Sequence, residues 1–367
     1  MTGKTRIEGL SKGSVLALAL GLLLWIAYGL SIALAPTAVS SRALVNTVPA
    51  QEKMSDLKLY ETISQRVAAG EDYYTAAATL QREQGYPLKP FVTMRLPTLA
   101  TIIATLGMTG AKILLWVIMG LTLFVWWRRF EGCFADPGRR LSAILLLTSG
   151  LTIIGLPNLV VLHDAWAGLL VTLALGLHGN RRIWLSLVAV AAAILIRETI
   201  LPIAGLFLFM ALLDKQWKSA GCWGALILAA LGVLMLHAQA VAAVTLPNDL
   251  ASQGWLRAGG WGFALQALGE TTALRAMPEW AGAILVPLSL AGWFSWADKT
   301  GRAVSLAFLG YTALFMAAGR LENFYWGLWV SPLLLAGLAF VPQAVLAAVA
   351  TIRPGPLPLD RSATALS

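Results

Sequence analysis

Apolar runs recur along the chain from residue 15 to residue 349. The first, Val15 to Leu34, follows Lys4, Arg6 and Lys12. At about 1.5 Å per residue it is long enough to cross the hydrocarbon core of a bilayer as a helix. Ala33-Leu34-Ala35 has a faint likeness to a cleavage site, but Pro36 follows directly, so an uncleaved first span is expected. Further apolar segments lie near 108–127, 141–162, 165–178, 183–196, 200–213, 219–241, 280–296, 303–318 and 327–349. The pattern predicts an all-α, polytopic membrane protein of about ten transmembrane helices, a single domain over 1–367. Residues 36–97, the first outer loop, form the only long stretch between spans and belong to the same domain.

That loop has its own periodicity. Met54, Leu57, Tyr60, Ile63 and Val67 recur at three- and four-residue spacing, which predicts an amphipathic helix ended by Gly70. A second helix is expected from Tyr73 to Gln84, ended by Gly85. Pro87, Pro90 and Pro97 then impose an extended return toward the bilayer. Helices of this kind suit the outer membrane surface.

Charge sets the orientation. Of the 27 lysines and arginines, fifteen fall at the amino terminus, in the short turns at 128–140, 181–182, 215–218 and 299–302, and after the last span. Eight more lie between Arg42 and Lys112, in or beside the long loop, leaving Arg197, Arg257, Arg275 and Arg320 in the other outer segments. The positive-inside rule then puts both termini in the cytoplasm, in a multi-pass protein of the bacterial inner membrane. Trp126, Trp127, Trp184, Trp217, Trp223 and Trp296 fall near expected cytoplasmic boundaries, as an aromatic belt does.

The composition, 58% hydrophobic and 12% charged, excludes an ordinary soluble enzyme, and the spread of the +9 charge over short turns argues against a nucleic-acid partner. Cys133 and Cys222 give no disulfide framework, and the chain has no Walker loop, dinucleotide glycine fingerprint, HExxH or CxxC. His163, His178 and His237 are scattered, so no metal cage of His and Cys is expected.

Polar chemistry collects on the expected outer side. The segments 183–196 and 200–213 are each about 21 Å long as helices, short of the ~30 Å core. They meet at Arg197-Glu198-Thr199, and His163-Asp164 precedes a third short segment. These turns are expected below the outer surface, where charges must pair or face water, so a recessed polar cavity is expected there. A third cluster runs from Gly319 through Arg320, Glu322, Asn323, Phe324, Tyr325 and Trp326. It fits an interfacial belt with an Arg320–Glu322 pair as well as it fits a binding site. Asp56, at the start of the first loop helix, fits a solvated first-turn acid as well as a functional group. Arginines near the outer leaflet suit a phosphate anion.

Asp56-Leu57-Lys58-Leu59-Tyr60, Gly70, Tyr73-Tyr74, Pro90-Phe91 and Arg95-Leu96-Pro97 resemble the first outer loop of the GT-C superfamily of integral-membrane glycosyltransferases, nearest the polyprenyl-phosphate-mannose-dependent mannosyltransferases. Leu57 stands where many members carry a second acid after the first, which puts metal assistance in question. Only 350–367 follow the last expected span, too few for the soluble carboxyl-terminal domain of several relatives, which counts against a large polymeric acceptor. The resemblance implies transfer of a sugar from a polyprenyl-phosphate donor to a hydroxyl of a glycan or glycolipid acceptor on the outer face, by inverting displacement and with no resident cofactor. It implies Asp56 as the general base and Arg197, Arg320 and Arg95 as cations for the departing lipid phosphate. Glu198, Asp164 and Glu322 would orient those arginines or bind sugar hydroxyls, with His163, Asn323, Tyr60, Tyr325 and Trp326 completing the wall. A transporter or flippase of a lipid-linked sugar is the rival. It needs polar groups reachable from both sides, whereas these clusters fall on one.

Overall fold

A computed structural model describes residues 5–35, 54–179 and 183–353. Lys4, Arg42, Arg181, Arg182 and Arg361, part of the charge pattern above, lie outside the described residues. Among those described, the structure is all-α. The helices are α1 (Lys12–Ala33), α2 (Asp56–Ala68), α3 (Tyr73–Glu83), α4 (Thr98–Glu131), α5 (Pro137–Leu151), α6 (His163–Leu177) and α7 (Ile183–Ile196). They continue as α8 (Leu201–Leu213), α9 (Trp217–Val244), α10 (Gly260–Glu270), α11 (Glu279–Ser295), α12 (Lys299–Ala317) and α13 (Val341–Ile352). Side chains of Ser11, Ser55, Asp72, Asp136 and Asp298 each accept from a backbone N–H of the helix they precede, which fixes where α1, α2, α3, α5 and α12 begin.

Four stretches are long and apolar enough to cross a membrane: Lys12–Ala33, Phe91–Glu131, Trp217–Val244 and Ser331–Ile352. Among the described residues, length and apolarity thus single out four, and the other expected spans are helices α5 to α8, α11 and α12, of 13 to 19 residues. Three of the expected boundaries shift. The run at 108–127 belongs to a helix beginning at Thr98 but broken at Gly107, whose φ of 69° is open to glycine. The run at 141–162 ends as an α-helix at Leu151, and its remainder is a 3-10 turn, Pro157–Val161. The run at 327–349 is not one helix but successive 3-10 turns, Leu321–Trp329, Ser331–Leu333 and Leu335–Phe340, followed by α13. Pro332 and Pro342 each restart the chain at a first helical position, where a missing N–H costs nothing. Carbonyls left without α-helical partners are taken by side chains of α11: Trp293 Nε1 donates to Leu333 O at 2.8 Å, and Ser289 Oγ to Leu334 O. Helix α10, between glycines in a segment expected to be loop, is an addition. It buries Trp261, Phe263, Leu265 and Leu268.

A short helix, α6, is innermost. Every residue of α6 from His163 to Gly176 is buried, and α4, α7, α12 and the Leu321–Leu333 turns pack around it. A helix apolar on all sides has no face suited to water, and this one is enclosed by protein. The long α1, by contrast, exposes Leu16, Leu20, Leu23 and Leu24. Tryptophan placement follows the same division. Trp184 and Trp217 are exposed, but Trp126, Trp223 and Trp296, expected in an interfacial belt, are core residues. Trp126 is held inside because its Nε1 donates to Thr172 O at 2.9 Å, which satisfies the indole without solvent. Gly168 permits the closest approach: a Cβ there would fall on the carbonyl oxygen of Leu328.

Helices α2 and α3 pack on the protein through their apolar faces. Leu59, Ile63, Ala77, Leu80, Leu88 and Met94 form a second small core with Ala100 of α4 and Val241 of α9. Their face is turned slightly from the expected one, with Leu59 and Ile63 buried and Leu57 half-buried. The return segment is pinned to the chain after α9: Leu88 N donates to Leu250 O at 2.9 Å and Ser252 N to Lys89 O at 2.7 Å. Arg82 grips Asp249 with two parallel bonds of 2.6 and 2.8 Å, and this guanidinium holds the Asp249 carboxyl down at about 2. His237 of α9 closes the seam. Its Nε2–H donates to Met94 O at 3.1 Å, which leaves Nδ1 to accept from the Tyr74 hydroxyl at 3.2 Å.

Two outcomes test this packing. Gly168→Ala is expected to destabilise the protein by about 1–3 kcal/mol, because the new methyl meets backbone that cannot yield. Gly205→Ala on α8, where nothing lies within 4 Å of a Cβ, is expected to be neutral or stabilising. Thermal melting in detergent compares them. Asp249→Asn is expected to speed amide exchange at Leu88 and Ser252 a few-fold at neutral pH. Since folding lowers the Asp249 pKa, its contribution is complete above about pH 4 and fades as the pH falls through about 2.

Candidate functional site

The polar residues of three separate turns meet at the amino-terminal end of α6. Asp164 lies in its first turn, where the helix dipole favours an anion. Its Oδ1 accepts from Arg197 Nε at 3.0 Å and from Trp329 Nε1 at 2.7 Å. Arg197 follows the last residue of α7 in extended backbone (φ −145°, ψ 105°). Neighbouring side chains on a helix diverge, but this break lets Arg197 Nη1 meet Glu198 Oε1 at 2.5 Å. The side chains of Asp164, Arg197 and Glu198 are only 1%, 3% and 11% exposed. The Arg197 guanidinium also lies 5.7 Å over the Trp329 ring, which stacks on Trp326 and touches Tyr311. Tyr311 in turn donates to Thr199 O at 3.0 Å, fixing the turn after Glu198.

Arg95 supplies the second cation. Its Nε donates to the Tyr60 hydroxyl at 3.2 Å, while its own carbonyl accepts from Tyr73 at 2.6 Å. Among the described residues it forms no salt bridge, although Asp164 and Glu198 lie within electrostatic reach. The Tyr60 ring stands edge-on to His163 with centroids 4.9 Å apart. Both ring nitrogens of His163, Oδ2 of Asp164, Oγ1 of Thr199 and Nδ2 of Asn323 are buried without hydrogen-bond partners among the described residues.

Asp56 sits at the edge of this group. It opens α2 directly after the Ser55 cap and is half-buried. Its Oδ1 accepts from the Tyr86 hydroxyl at 2.7 Å, and that hydroxyl also lies 2.6 Å from Met54 O. Burial pushes the Tyr86 phenol up, and the bond to Asp56 pushes it further, so Tyr86 stays a protonated donor. Tyr60 and Tyr325 feel both Asp56 and Asp164, which makes them the link between the edge and the buried network.

Not every candidate joins. Arg320 is 30% exposed and pairs at 3.5 Å with Glu322, which is 72% exposed, so these two face outward as a surface pair. Trp326 enters only through its stack on Trp329. The recessed cavity also differs from expectation. The hollow lined by Tyr60, Tyr73, Gln81, Arg95 and His163, together with Leu99, Ala100 and Ile103, leaves about 10 Å³ for the centre of a water-sized molecule, room for about one water. Among the described residues no group of three His, Cys, Asp or Glu is placed to hold a metal. Sequence reasoning missed Tyr86, Tyr311 and Trp329. Trp329, three residues beyond Trp326, was within reach of helical spacing, whereas Tyr86 had no such signal.

Arg197→Met is expected to cost about 3–5 kcal/mol, because it leaves Asp164 and Glu198 buried without their cation. Arg320→Met is expected to change stability by no more than about 0.5 kcal/mol, as for other exposed pairs. Chemical or thermal unfolding of the purified variants measures both.

Compared with models of protein families, with curated proteins and with solved structures, the chain matches none of them.

Proposed function

We propose that this chain is a GT-C-like glycosyltransferase of about ten spans, with both termini cytoplasmic, that moves a sugar from a polyprenyl-phosphate donor to an acceptor hydroxyl on the outer face. The observation that carries this is a half-buried carboxylate, Asp56, beside an aromatic and cationic group in which Arg95, among the described residues, has no ion-paired acid. Asp56 takes the acceptor's proton as its oxygen bonds to the anomeric carbon, and the carbon–phosphate-oxygen bond breaks on the opposite side. The departing electron pair stays on the lipid phosphate, where Arg95 offsets the growing charge. Arg197 is already committed to Asp164 and Glu198, so its role becomes to hold the wall rather than to bind the phosphate. Arg320 is retained as a rim cation that meets the donor first. Donor entry requires the residues around the hollow to part, since as it stands it takes about one water.

The test is incubation of purified protein with radiolabelled polyprenyl-phosphate sugars and a membrane extract. Asp56→Asn is expected to lower transfer by about 10²–10⁴-fold while donor binding persists; near-normal turnover removes Asp56 as the base. Arg95→Ala is expected to weaken donor binding about tenfold or more, and a smaller loss is expected for Arg320→Ala. Unchanged affinity in Arg95→Ala removes the phosphate assignment. Sugar-independent movement of the lipid across vesicles, without transfer, would favour the transporter.

A further inference from the structure

We propose that Tyr86 is a positioning residue that orients the Asp56 carboxylate toward the acceptor hydroxyl and keeps its own hydrogen bonded in both protonation states of that acid. This rests on Asp56 acting as the base. A phenol has one hydrogen and two acceptor lone pairs. Among the described residues the Tyr86 hydroxyl has two acceptors in reach, Asp56 Oδ1 at 2.7 Å and Met54 O at 2.6 Å. While Asp56 is a carboxylate, the hydrogen goes to the charged oxygen, the stronger acceptor. Once Asp56 has taken the acceptor's proton it is the poorer partner, and the hydrogen turns about the phenol C–O bond to Met54 O. No heavy atom moves, no buried donor is stranded, and no proton is gained or lost by Tyr86.

The frame around this switch is fixed by the end of α3. Tyr86 N donates to Gln81 O at 2.7 Å, and Met54 N donates to the Gln84 side chain at 3.3 Å. Met54 and the phenol are thereby tied to one helix terminus, while Asp56 is held by its place in the first turn of α2. The other ionisable groups facing Asp56 are Tyr60 and Tyr325, with Arg95 and Asp164 behind them. On α2 itself, Lys58 and Glu61 pair with each other at 3.0 Å on the exposed side.

The experiment is Tyr86→Phe, which removes the hydroxyl alone. The Asp56 carboxylate stretch, isolated as the infrared difference between wild type and Asp56→Asn, needs no substrate. Its frequency is expected to shift in Tyr86→Phe, because a hydrogen-bond donor to the carboxylate is gone. With polyprenyl-phosphate sugar as probe, kcat is expected to fall about tenfold, a change of ~1.4 kcal/mol, with KM for the donor unchanged. An unmoved stretch, or a moved one with unchanged kcat, overturns the proposal. If Tyr86→Phe does not fold, 3-fluorotyrosine at position 86 keeps the shape and strengthens the donor; the stretch is then expected to move in the opposite sense, and an unmoved one is equally fatal. Full activity of Asp56→Asn instead overturns the assignment of the base, whatever Tyr86 does.

Discussion

A guanidinium and a carboxylate, almost without solvent contact, fix the interior of this protein. Taking either charge out of water costs several kcal/mol, which attraction recovers only where geometry is good and remaining hydrogen-bonding atoms are served. Asp164 and Arg197 meet the first condition through a 3.0 Å contact. Trp329 helps with the second by donating to the same carboxylate oxygen and lying under the guanidinium. Three distant parts of the chain, the first turn of α6, the end of α7 and the Leu321–Trp329 turn, must therefore come together for any one of them to be stable.

The same constraint explains the irregular last third. A regular helix through 321–340 would not present Trp329 to Asp164 and also give up the carbonyls that Trp293 and Ser289 occupy. The 3-10 turns keep the segment apolar and buried while freeing backbone groups for side-chain partners. Asp56 and Arg95 stand outside this rigid centre, on a unit with its own small core, joined to it through Tyr60, His163 and Tyr325.

Much of the scaffold was legible from the sequence, and the limits have physical causes. Helices α1, α2, α3, α7, α8, α9, α11 and α12 sit close to where apolar runs and loop periodicity put them. The 327–349 run misled because hydropathy is blind to backbone conformation, although Pro332 and Pro342 marked its breaks. Helix α10 was too short to register. In the site, segment lengths marked the turns of Asp164 and Arg197 as recessed, and both side chains are buried within the protein. Their pairing with each other left no such mark, because it joins residues 33 apart. Arg320 stands apart from the buried network: among the described residues its salt bridge is to the exposed Glu322, the pair that its sequence neighbourhood had also offered.

The near-parallel stack of Trp326 on Trp329, with centroids 5.3 Å apart and planes 18° from parallel, has a spectroscopic consequence. Two indole chromophores so arranged couple their electronic transitions, and a cation beneath one of them perturbs its excited state. Of the fifteen tryptophans, this pair lies directly on the buried charges. Ultraviolet dichroism therefore carries a native signature of the centre of the molecule, readable in the unlabelled protein.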